Sequence, residues 1–286
     1  MHGKVCVLTG GTSGIGRETA VGLAGRGARL ALICRDRHRG EETVAEIAAR
    51  TRTRDVTLHV ADLSLQRDVR RVAAELLDHH PRIDVLVNNA GVVNLRHALT
   101  GDGIETVFAT NHLAYFLLTL LLVERLRASA PARIVNVASE AHRFGRIDFD
   151  DLGHAQQYRA MRVYGQSKLA NILFTYELAR RLAGTGVTVN CLHPGAVGTR
   201  LGHNNGTVAR LLAGALRPFF RSPAQGDDTS IWLASSPAVE GVSGEYFVRR
   251  RPKRSSAASH DEAVARRLWD VSLELTGLED PTSAAA

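Results

Sequence analysis

The sequence has few cysteines. Of its 286 residues only Cys6, Cys34 and Cys191 are cysteines, and each lies within an apolar stretch. Three cysteines cannot all pair, and none stands beside histidines at the spacing of a zinc site. We therefore expect small buried thiols in a reducing compartment, with neither a disulfide framework nor a metal site.

Long hydrophobic runs are also missing. The most apolar segment, Leu113 to Val123, is about half a membrane span, and we find no run of the roughly 18 uncharged apolar residues that a span needs. The chain opens Met1-His2-Gly3-Lys4 and continues directly into a short β-type run, without the apolar region of a signal peptide. These features predict a soluble, cytoplasmic protein with no membrane span.

Lysine is scarce: Lys4, Lys168 and Lys253 are the only lysines among 36 basic residues, and the net charge is +7. A positive charge favours anionic partners such as nucleotides, nucleic acid or membrane surfaces, without choosing among them. The densest basic segment runs from Arg249 to Arg254. No aromatic platform or reading motif accompanies it, so we interpret it as a solvated loop and expect no nucleic-acid partner.

Short apolar runs alternate with longer segments of helical periodicity, and the runs are continuously apolar. This alternation predicts a parallel sheet buried by helices on both faces. The predicted strands are Val5–Leu8, Arg29–Cys34, Val56–Val60, Val85–Val87, Ile134–Val137, Val187–Leu192 and Gly244–Phe247. The predicted helices are Ile15–Arg26, Gly40–Arg50, Leu65–His79, Glu105–Arg127, Tyr164–Leu182, Val208–Leu216, Pro223–Ala234 and Asp261–Thr276.

No internal repeat or linker divides the chain. We therefore predict a single α/β domain over residues 1–286, a doubly wound Rossmann fold with about seven parallel strands. The segment from about 198 to 226 departs from the strand–helix rhythm and is rich in leucine and phenylalanine. We interpret it as a small substrate lid, although simple helix packing explains its apolar stripe equally well. Residues from about 249 to 286 form a C-terminal extension.

A glycine-rich turn, Thr9 to Gly16, follows the first predicted strand and opens a helix. Glycines permit a tight turn and let the backbone approach a pyrophosphate, whose charge the helix N-terminus then stabilises. This strand–turn–helix context predicts a dinucleotide site. Its candidate binding residues are Gly10, Thr12, Ser13, Gly14, Ile15 and Gly16.

The second strand ends at Cys34-Arg35, where an NAD site would carry an acid for the ribose 2′-hydroxyl. A guanidinium suits a 2′-phosphate, so Arg35, with Arg37 and Arg39 just beyond, predicts NADP(H) as cofactor. The alternative is a merely solvated turn. Asp36 is the one neighbouring acid that could instead indicate NAD.

Tyr164 and Lys168 are four residues apart in a helical segment and so share one face. An adjacent ammonium favours the phenolate form of tyrosine and lowers its pKa, which makes tyrosine a usable acid or base. Ser139 closes an apolar run at the carboxyl end of a predicted strand. Its hydroxyl could hold a carbonyl oxygen, or could simply cap a helix or loop.

Together these motifs resemble the short-chain dehydrogenase/reductase family over nearly the whole chain. Within it the sequence is most similar to the branch of retinol dehydrogenases and WW-domain oxidoreductases. The residues that carry the resemblance are Thr9 to Gly16, Asp62, Asn88-Asn89-Ala90-Gly91, Asn111, Ser139, Tyr164, Lys168, Pro194-Gly195 and Thr199.

The resemblance implies a role for each catalytic residue. Tyr164 exchanges the proton, Lys168 lowers its pKa and binds the nicotinamide ribose, Ser139 polarises the carbonyl, and Asn111 holds a water. Asp62 contacts adenine. The remaining implied cofactor contacts are Leu63, Asn89, Ala90, Gly91, Pro194, Gly195, Val197 and Thr199.

The implied activity is hydride transfer between NADP(H) and a small-molecule carbonyl or alcohol, lipophilic or aromatic in character. Family members pair through the helices that carry Asn111 and Tyr164, which implies a homodimer or homotetramer. Membrane members of the branch have an N-terminal anchor that this sequence does not show, so we leave the substrate open beyond retinoids. Two alternative hypotheses remain. The protein could be an enzyme of the same fold that catalyses epimerisation, dehydration or cyclisation, or it could be a non-catalytic NADP-binding regulator.

Overall fold

The computed structural model describes residues 1–195 and 228–283. Its strands form one sheet in the order β3-β2-β1-β4-β5-β6-β7-β8. Their bounds are β1 Val5–Thr9, β2 Arg29–Cys34, β3 Val56–Val60, β4 Val85–Asn88, β5 Ala132–Val137, β6 Val187–His193, β7 Tyr246–Val248 and β8 Arg251–Pro252.

The first seven strands are parallel, as the alternating pattern predicts. The two-residue β8 pairs antiparallel with β7 and lies inside the segment that we interpret as a solvated loop. Strand β8 is only two residues long and exposed, so no apolar run marks it in the sequence. The strand order reverses direction between β1 and β4, and ligands of such sheets bind at the carboxyl ends of the strands beside this point.

The helices cover both faces of the sheet. Their bounds are α1 Gly14–Ala24, α2 Arg37–Thr51, α3 Gln66–His79, α4 Thr106–Ala128, α5 Ala160–Arg181, α6 Asp228–Ser235 and α7 Glu262–Thr276. Helix α5 begins one turn before the predicted start at Tyr164. The predicted helix Val208–Leu216 and the lid at about 198–226 lie outside the described residues.

Two apolar cores result, one on each side of the sheet. One packs α3, α4, α5 and α7 on the sheet, and the other packs α1 and α6 on the opposite face. All three cysteines are buried and unpaired, as expected. Burial on both faces explains why β1, β2 and β4 are almost continuously apolar, whereas the edge strand β3 is partly exposed.

Helix α4 is long and rich in apolar residues. It is long and apolar enough to cross a membrane by length and composition, which the sequence-based estimate of half a span missed. Of its most apolar 18-residue window, 89% is buried within the fold. The apolar character of α4 is therefore accounted for by its place in the core.

Candidate active site

The glycine turn after β1 has the backbone that its sequence predicts. Gly10 and Gly14 have φ of +69° and +53°, a region that favours glycine. A Cβ on Gly16 would lie 2.3 Å from the Gly10 carbonyl oxygen, and one on Gly10 would lie 2.8 Å from Cα of Ala90. These positions therefore require glycine, for the turn itself and for its close packing against the loop after β4.

Helix α1 begins at this turn with its N-terminus free to bind an anion. Its first turn, Gly14-Ile15-Gly16-Arg17, contains no carboxylate. In the described chain, the Ser13 side chain at the cap position makes no capping hydrogen bond with the helix. Exposed N–H groups and the positive end of the helix dipole suit a phosphate, so these residues fit the pyrophosphate of a dinucleotide.

Thr9 and Asn89 connect the turn to the end of β4. The Thr9 hydroxyl accepts hydrogen bonds from the backbone N–H groups of Asn89 and Ala90, at 2.8 and 3.0 Å. The Asn89 side-chain amide donates to the carbonyl oxygens of Thr9 and Gly10. The sequence-based interpretation gave Asn89 to the cofactor, whereas the structure shows it also holding the turn in place.

Arg35, Arg37 and Arg39 are close in sequence but have different surroundings in the structure. Asp36 caps α2 by accepting the Arg39 N–H at 3.1 Å. The Arg39 guanidinium reaches the carbonyl oxygen of Thr12 in the glycine turn. Arg37 is within 4.0 Å of Glu41 on the exposed side of α2, and Arg35 is exposed at the strand end. Arg35 and Arg39 are thus the cations placed to meet a phosphate beside the turn.

Asp62 and Leu63 follow β3 at the same edge, as the resemblance implies for the adenine side. The Asp62 carboxylate accepts the backbone N–H and hydroxyl of Ser64 through one oxygen. Its own N–H donates to Asp68. Leu63 is buried. The local turn holds Asp62 at the carboxyl end of β3, next to β2.

A close backbone contact between Gly145 and Gly165 brings Ser139 near Tyr164. Ser139 follows β5 and caps the 3-10 turn Glu140–Phe144, accepting the Ala141 N–H at 3.2 Å. A Cβ on Gly145 would lie 2.4 Å from the Gly165 carbonyl oxygen, so only glycine lets this turn approach α5 so closely. The Ser139 hydroxyl lies close enough to Tyr164 to lower its pKa, against the larger effect of burial. Ser139 therefore both caps a turn and contacts the candidate proton donor.

The Tyr164 hydroxyl lies in a desolvated environment, although part of its side chain remains exposed. Burial raises the pKa of Tyr164 to about 12, with the Ser139 hydrogen bond acting in the opposite direction. The expected lowering by Lys168 is not what this structure shows. Burial is the largest cause of the raised pKa, and the phenol form dominates at neutral pH.

Lys168 is buried on α5, one turn beyond Tyr164. Its Nζ donates to the Val137 carbonyl oxygen at 2.9 Å and lies 5.7 Å from the Tyr164 ring centre. Burial lowers the pKa of Lys168 to about 7. Near neutral pH the group is therefore close to the midpoint between ammonium and amine.

Asn111 lies in a π-helical turn of α4, Ala109–Leu113. Such turns expose backbone groups within a helix and are frequent at functional sites. The Asn111 side chain accepts the Val92 N–H and donates to the Val92 carbonyl oxygen and the Ser167 hydroxyl. Gly91 lies alongside, where a Cβ would be 3.4 Å from Asn111 Oδ1 and 3.5 Å from Lys168 Nζ. The loop after β4 thus closes one side of the site.

The structure brings together Asn111, Ser139, Tyr164 and Lys168, all predicted from the sequence. Pro194 and Gly195 follow β6 at the same edge, and Gly195 has φ of +95°. Val197 and Thr199, also predicted to bind the cofactor, lie outside the described residues. Tyr115, four residues beyond Asn111, was missed, and Thr9 was included in the turn motif without its role of binding the loop after β4. The same four-residue spacing that identified Lys168 would have pointed to Tyr115.

Histidines near the site have structural roles. His142 is buried and bonds the Ser139 carbonyl oxygen through Nδ1, while its Nε2 accepts the Ser256 N–H. Burial lowers the pKa of His193 to about 4, and also lowers the pKa of His142. Both imidazoles are therefore neutral at physiological pH.

Large apolar side chains stand exposed on the segments that flank the site. Phe144, at the end of the turn capped by Ser139, is 77% exposed. Met161, one turn before Tyr164 on α5, is 59% exposed. Leu95, on the loop after Gly91, is also exposed. This described part of the rim offers apolar surface to a ligand.

A doubly wound sheet with a glycine-rich phosphate turn, and a Ser–Tyr–Lys group at its carboxyl edge, defines a nucleotide-dependent oxidoreductase. Residues 4–208 match the family model described as short chain dehydrogenase. The chain belongs to this family.

Its relatives specify the branch. The chain is 46% identical to retinol dehydrogenase 14 of Homo sapiens, over 97% of this chain and 88% of that protein. It is 43% identical to retinol dehydrogenase 13 of Homo sapiens, over 98% and 86% respectively. The resemblance to retinol dehydrogenases is therefore confirmed.

Solved structures agree on the fold. A crystal structure of an uncharacterized protein from Mycobacterium paratuberculosis has a TM-score of 0.79 at 34% identity, covering 98% of this chain and 96% of that one. The RhlG/NADP active-site complex of Pseudomonas aeruginosa has a TM-score of 0.69 at 29% identity, covering 86% and 94%.

Proposed function

We propose that this protein is an NADP(H)-dependent oxidoreductase that interconverts a lipophilic or aromatic carbonyl compound and its alcohol, with Tyr164 as the proton donor and acceptor. The observation that carries this proposal is the meeting of Ser139, Tyr164 and Lys168 at the carboxyl edge of β5. Asn111 and Gly91 close the same site from the neighbouring loop and helix. NADPH supplies the hydride when bound.

Each residue has a defined part in the reduction. The Ser139 hydroxyl is placed to hold the carbonyl oxygen of the substrate beside the Tyr164 hydroxyl. Because the pKa of Tyr164 is raised to about 12, Tyr164 carries its proton at neutral pH and can donate it to the developing alkoxide. Lys168, one helical turn away, stabilises the resulting phenolate when it is charged. In the oxidation direction the same groups accept the proton.

The preference for NADP(H) over NAD(H) is supported by the end of β2. Arg35 is exposed at the strand end, the Arg39 guanidinium reaches the glycine turn, and Asp36 is engaged as a helix cap. The NADP complex of the similar Pseudomonas aeruginosa protein is consistent with this preference. Asp62 and Leu63 would lie on the adenine side.

The substrate class rests on two supports. The relatives are named for retinol, an apolar alcohol, and the described rim carries exposed Phe144 and Met161. We further propose a cytoplasmic location and a homodimer or homotetramer that pairs through α4 and α5.

The test is the replacement Tyr164→Phe. We expect turnover of NADPH with apolar aldehydes, retinal included, to fall by at least about 100-fold, the usual contribution of a general acid. NADPH binding, measured by fluorescence, should be retained. Unchanged turnover in the variant would contradict the assigned proton donor. Tight NADPH binding by the wild type, without turnover of retinoid, steroid, aliphatic or aromatic carbonyls, would contradict the proposed activity.

A further inference from the structure

Tyr115 is a second tyrosine at the active site, and its hydroxyl is unexplained. The residue lies on α4, one helical turn beyond Asn111, and is 1% exposed. Among the residues that the structure describes, its hydroxyl oxygen has no hydrogen-bond partner. A buried hydroxyl without a partner is costly compared with the phenylalanine that would fill the same space. A hydrogen-bond partner for this hydroxyl, such as a bound water, would remove that cost.

The Lys168 ammonium lies near the Tyr115 ring. Lys168 Nζ lies 5.8 Å from the centre of the Tyr115 ring and 5.7 Å from that of Tyr164. An ammonium has three N–H donors, and one of them is directed to the Val137 carbonyl oxygen. The Tyr115 oxygen and the remaining N–H groups are thus complementary in chemistry, and the Tyr115 ring lies near Nζ.

The groups that face Lys168 come from four elements. Helix α5 contributes Tyr164, α4 contributes Tyr115, β5 contributes the uncharged carbonyl of Val137, and the loop after β4 contributes Gly91. Burial alone accounts for the lowered pKa of Lys168, so in the described part of the chain no carboxylate compensates its charge. Burial, and after it the neighbouring Tyr164, raises the pKa of Tyr115. A polar oxygen at Tyr115 is therefore well placed to influence both partners.

We propose that Tyr115 is a positioning residue of the proton relay, whose hydroxyl holds the Lys168 ammonium through a buried water. The oxygen lone pairs, relayed by that water, favour the charged form of Lys168. The charged form in turn stabilises the Tyr164 phenolate. The predicted change in turnover rests on the proposed function. The predicted effect of Tyr115 on the charge of Lys168 does not.

The effect of Tyr115 on the charge of Lys168 can be measured without an activity assay, because the chain has only three lysines. Protein labelled with carbon-13 at lysine Cε should show three lysine signals, and Lys168 is assigned as the signal that disappears in Lys168→Arg. We expect its titration midpoint near 7 in the wild type. In Tyr115→Phe the midpoint should fall by about one unit, as expected for the loss of a hydrogen bond to a charged group.

The matched control is Tyr176→Phe. Tyr176 lies on α5, two turns beyond Lys168, and its hydroxyl hydrogen-bonds Ser255. This variant removes a buried tyrosine hydroxyl elsewhere on the same helix, and the Lys168 midpoint should not move. Tyr115→Phe retains the ring and loses an unpartnered hydroxyl, so it should unfold at the wild-type temperature or slightly higher.

The kinetic experiment follows the oxidation direction, in which Tyr164 must lose its proton. Tyr115→Phe should shift the rising limb of the pH profile to higher pH and lower kcat about tenfold, while the Kd for NADPH stays unchanged. An unchanged Lys168 midpoint in folded Tyr115→Phe would overturn the proposal. A shifted midpoint in a protein that turns over none of the alcohols would support the role of Tyr115 and count against the proposed function alone.

Discussion

The Asp36 carboxylate accepts a hydrogen bond from the backbone N–H of Arg39 at 3.1 Å. The one acid at the end of β2 is thereby engaged as the cap of α2. At the same time the Arg39 guanidinium reaches the Thr12 carbonyl oxygen, 27 residues earlier in the chain. Asp36, the acid that could have indicated NAD, is therefore used as a helix cap. The same turn directs the Arg39 guanidinium toward the glycine turn.

This arrangement predicts the effect of removing each arginine. Arg35→Ala and Arg39→Ala should each raise the KM for NADPH by about 10-fold or more, the loss expected for a charge-assisted hydrogen bond. Use of NADH should change little. Arg37→Ala is the control, because Arg37 lies near Glu41 instead of the turn. Steady-state kinetics with both cofactors checks this, and equal kcat/KM for NADH and NADPH in the wild type would refute the assignment.

The glycine turn predicts a second outcome. In Gly16→Ala the new methyl group would meet the Gly10 carbonyl oxygen at 2.3 Å and the Asn89 amide at 2.4 Å. Because the first obstacle is backbone, the turn must shift, and we expect NADPH binding to weaken by more than 10-fold together with a lower Tm. Gly153→Ala meets its nearest atom at 3.4 Å and serves as control. Calorimetric titration with NADPH and thermal unfolding distinguish the two variants; equal binding by both would contradict the packing argument.

The sequence predicts most of this architecture for an identifiable physical reason. Strands buried on both faces are rich in apolar residues, so β1, β2 and β4 are visible without a structure, and β3, β5 and β6 are visible from their shorter apolar stretches. Strand β8 is not, because Arg251–Pro252 is short, polar and exposed. The π-helical turn at Ala109–Leu113 is also invisible, since its composition is that of an ordinary helix.

The candidate site divides in the same way. Tyr164 and Lys168 are joined by local helical spacing, and the glycine turn by its strand–turn–helix context. The contact of Ser139 with Tyr164 needs the tertiary approach of Gly145 to Gly165, which no local pattern contains. The raised pKa of Tyr164 is likewise a property of the assembled fold, because burial of the hydroxyl is its largest cause.

A third prediction concerns the stability that is lost by burying Lys168. Its pKa falls from the ordinary lysine value to about 7, so between about pH 7 and 10.4 the unfolded chain holds a proton that the folded chain has released. The free energy of unfolding therefore rises with pH across this window, and the destabilisation is complete below it. Lys168→Met removes the group and should unfold with about 2–4 kcal/mol more free energy than wild type at pH 6.

This difference between the two proteins should shrink as the pH approaches 10. Urea denaturation of both at pH 6, 8 and 9.5 measures it, and the subtraction cancels groups that titrate alike in the two proteins. The variant should be inactive although more stable. Parallel curves with a constant offset would show that Lys168 is not titrating with a lowered pKa.

The last prediction concerns Glu140, which connects the turn after Ser139 to the basic hairpin of β7 and β8. Its carboxylate accepts the Tyr246 hydroxyl at 2.9 Å, Lys253 Nζ at 3.2 Å and Arg143 Nε at 2.7 Å. Burial opposes its ionisation, but these hydrogen bonds prevail and lower the pKa of Glu140 to about 2.

Because the folded pKa lies below the unfolded value, Glu140 stabilises the fold above about pH 4.3, and this contribution is lost as the pH falls toward 2. Glu140→Gln should therefore lower the free energy of unfolding by about 1 kcal/mol at pH 7, a figure reduced for the partial exposure of the group. At pH 3 the loss should be smaller. The control is Glu124→Gln, whose partner Arg127 is its neighbour on the exposed side of α4. Denaturation at both pH values measures the effect, and an equal loss in the two variants would mean that the hairpin contacts of Glu140 add no stability.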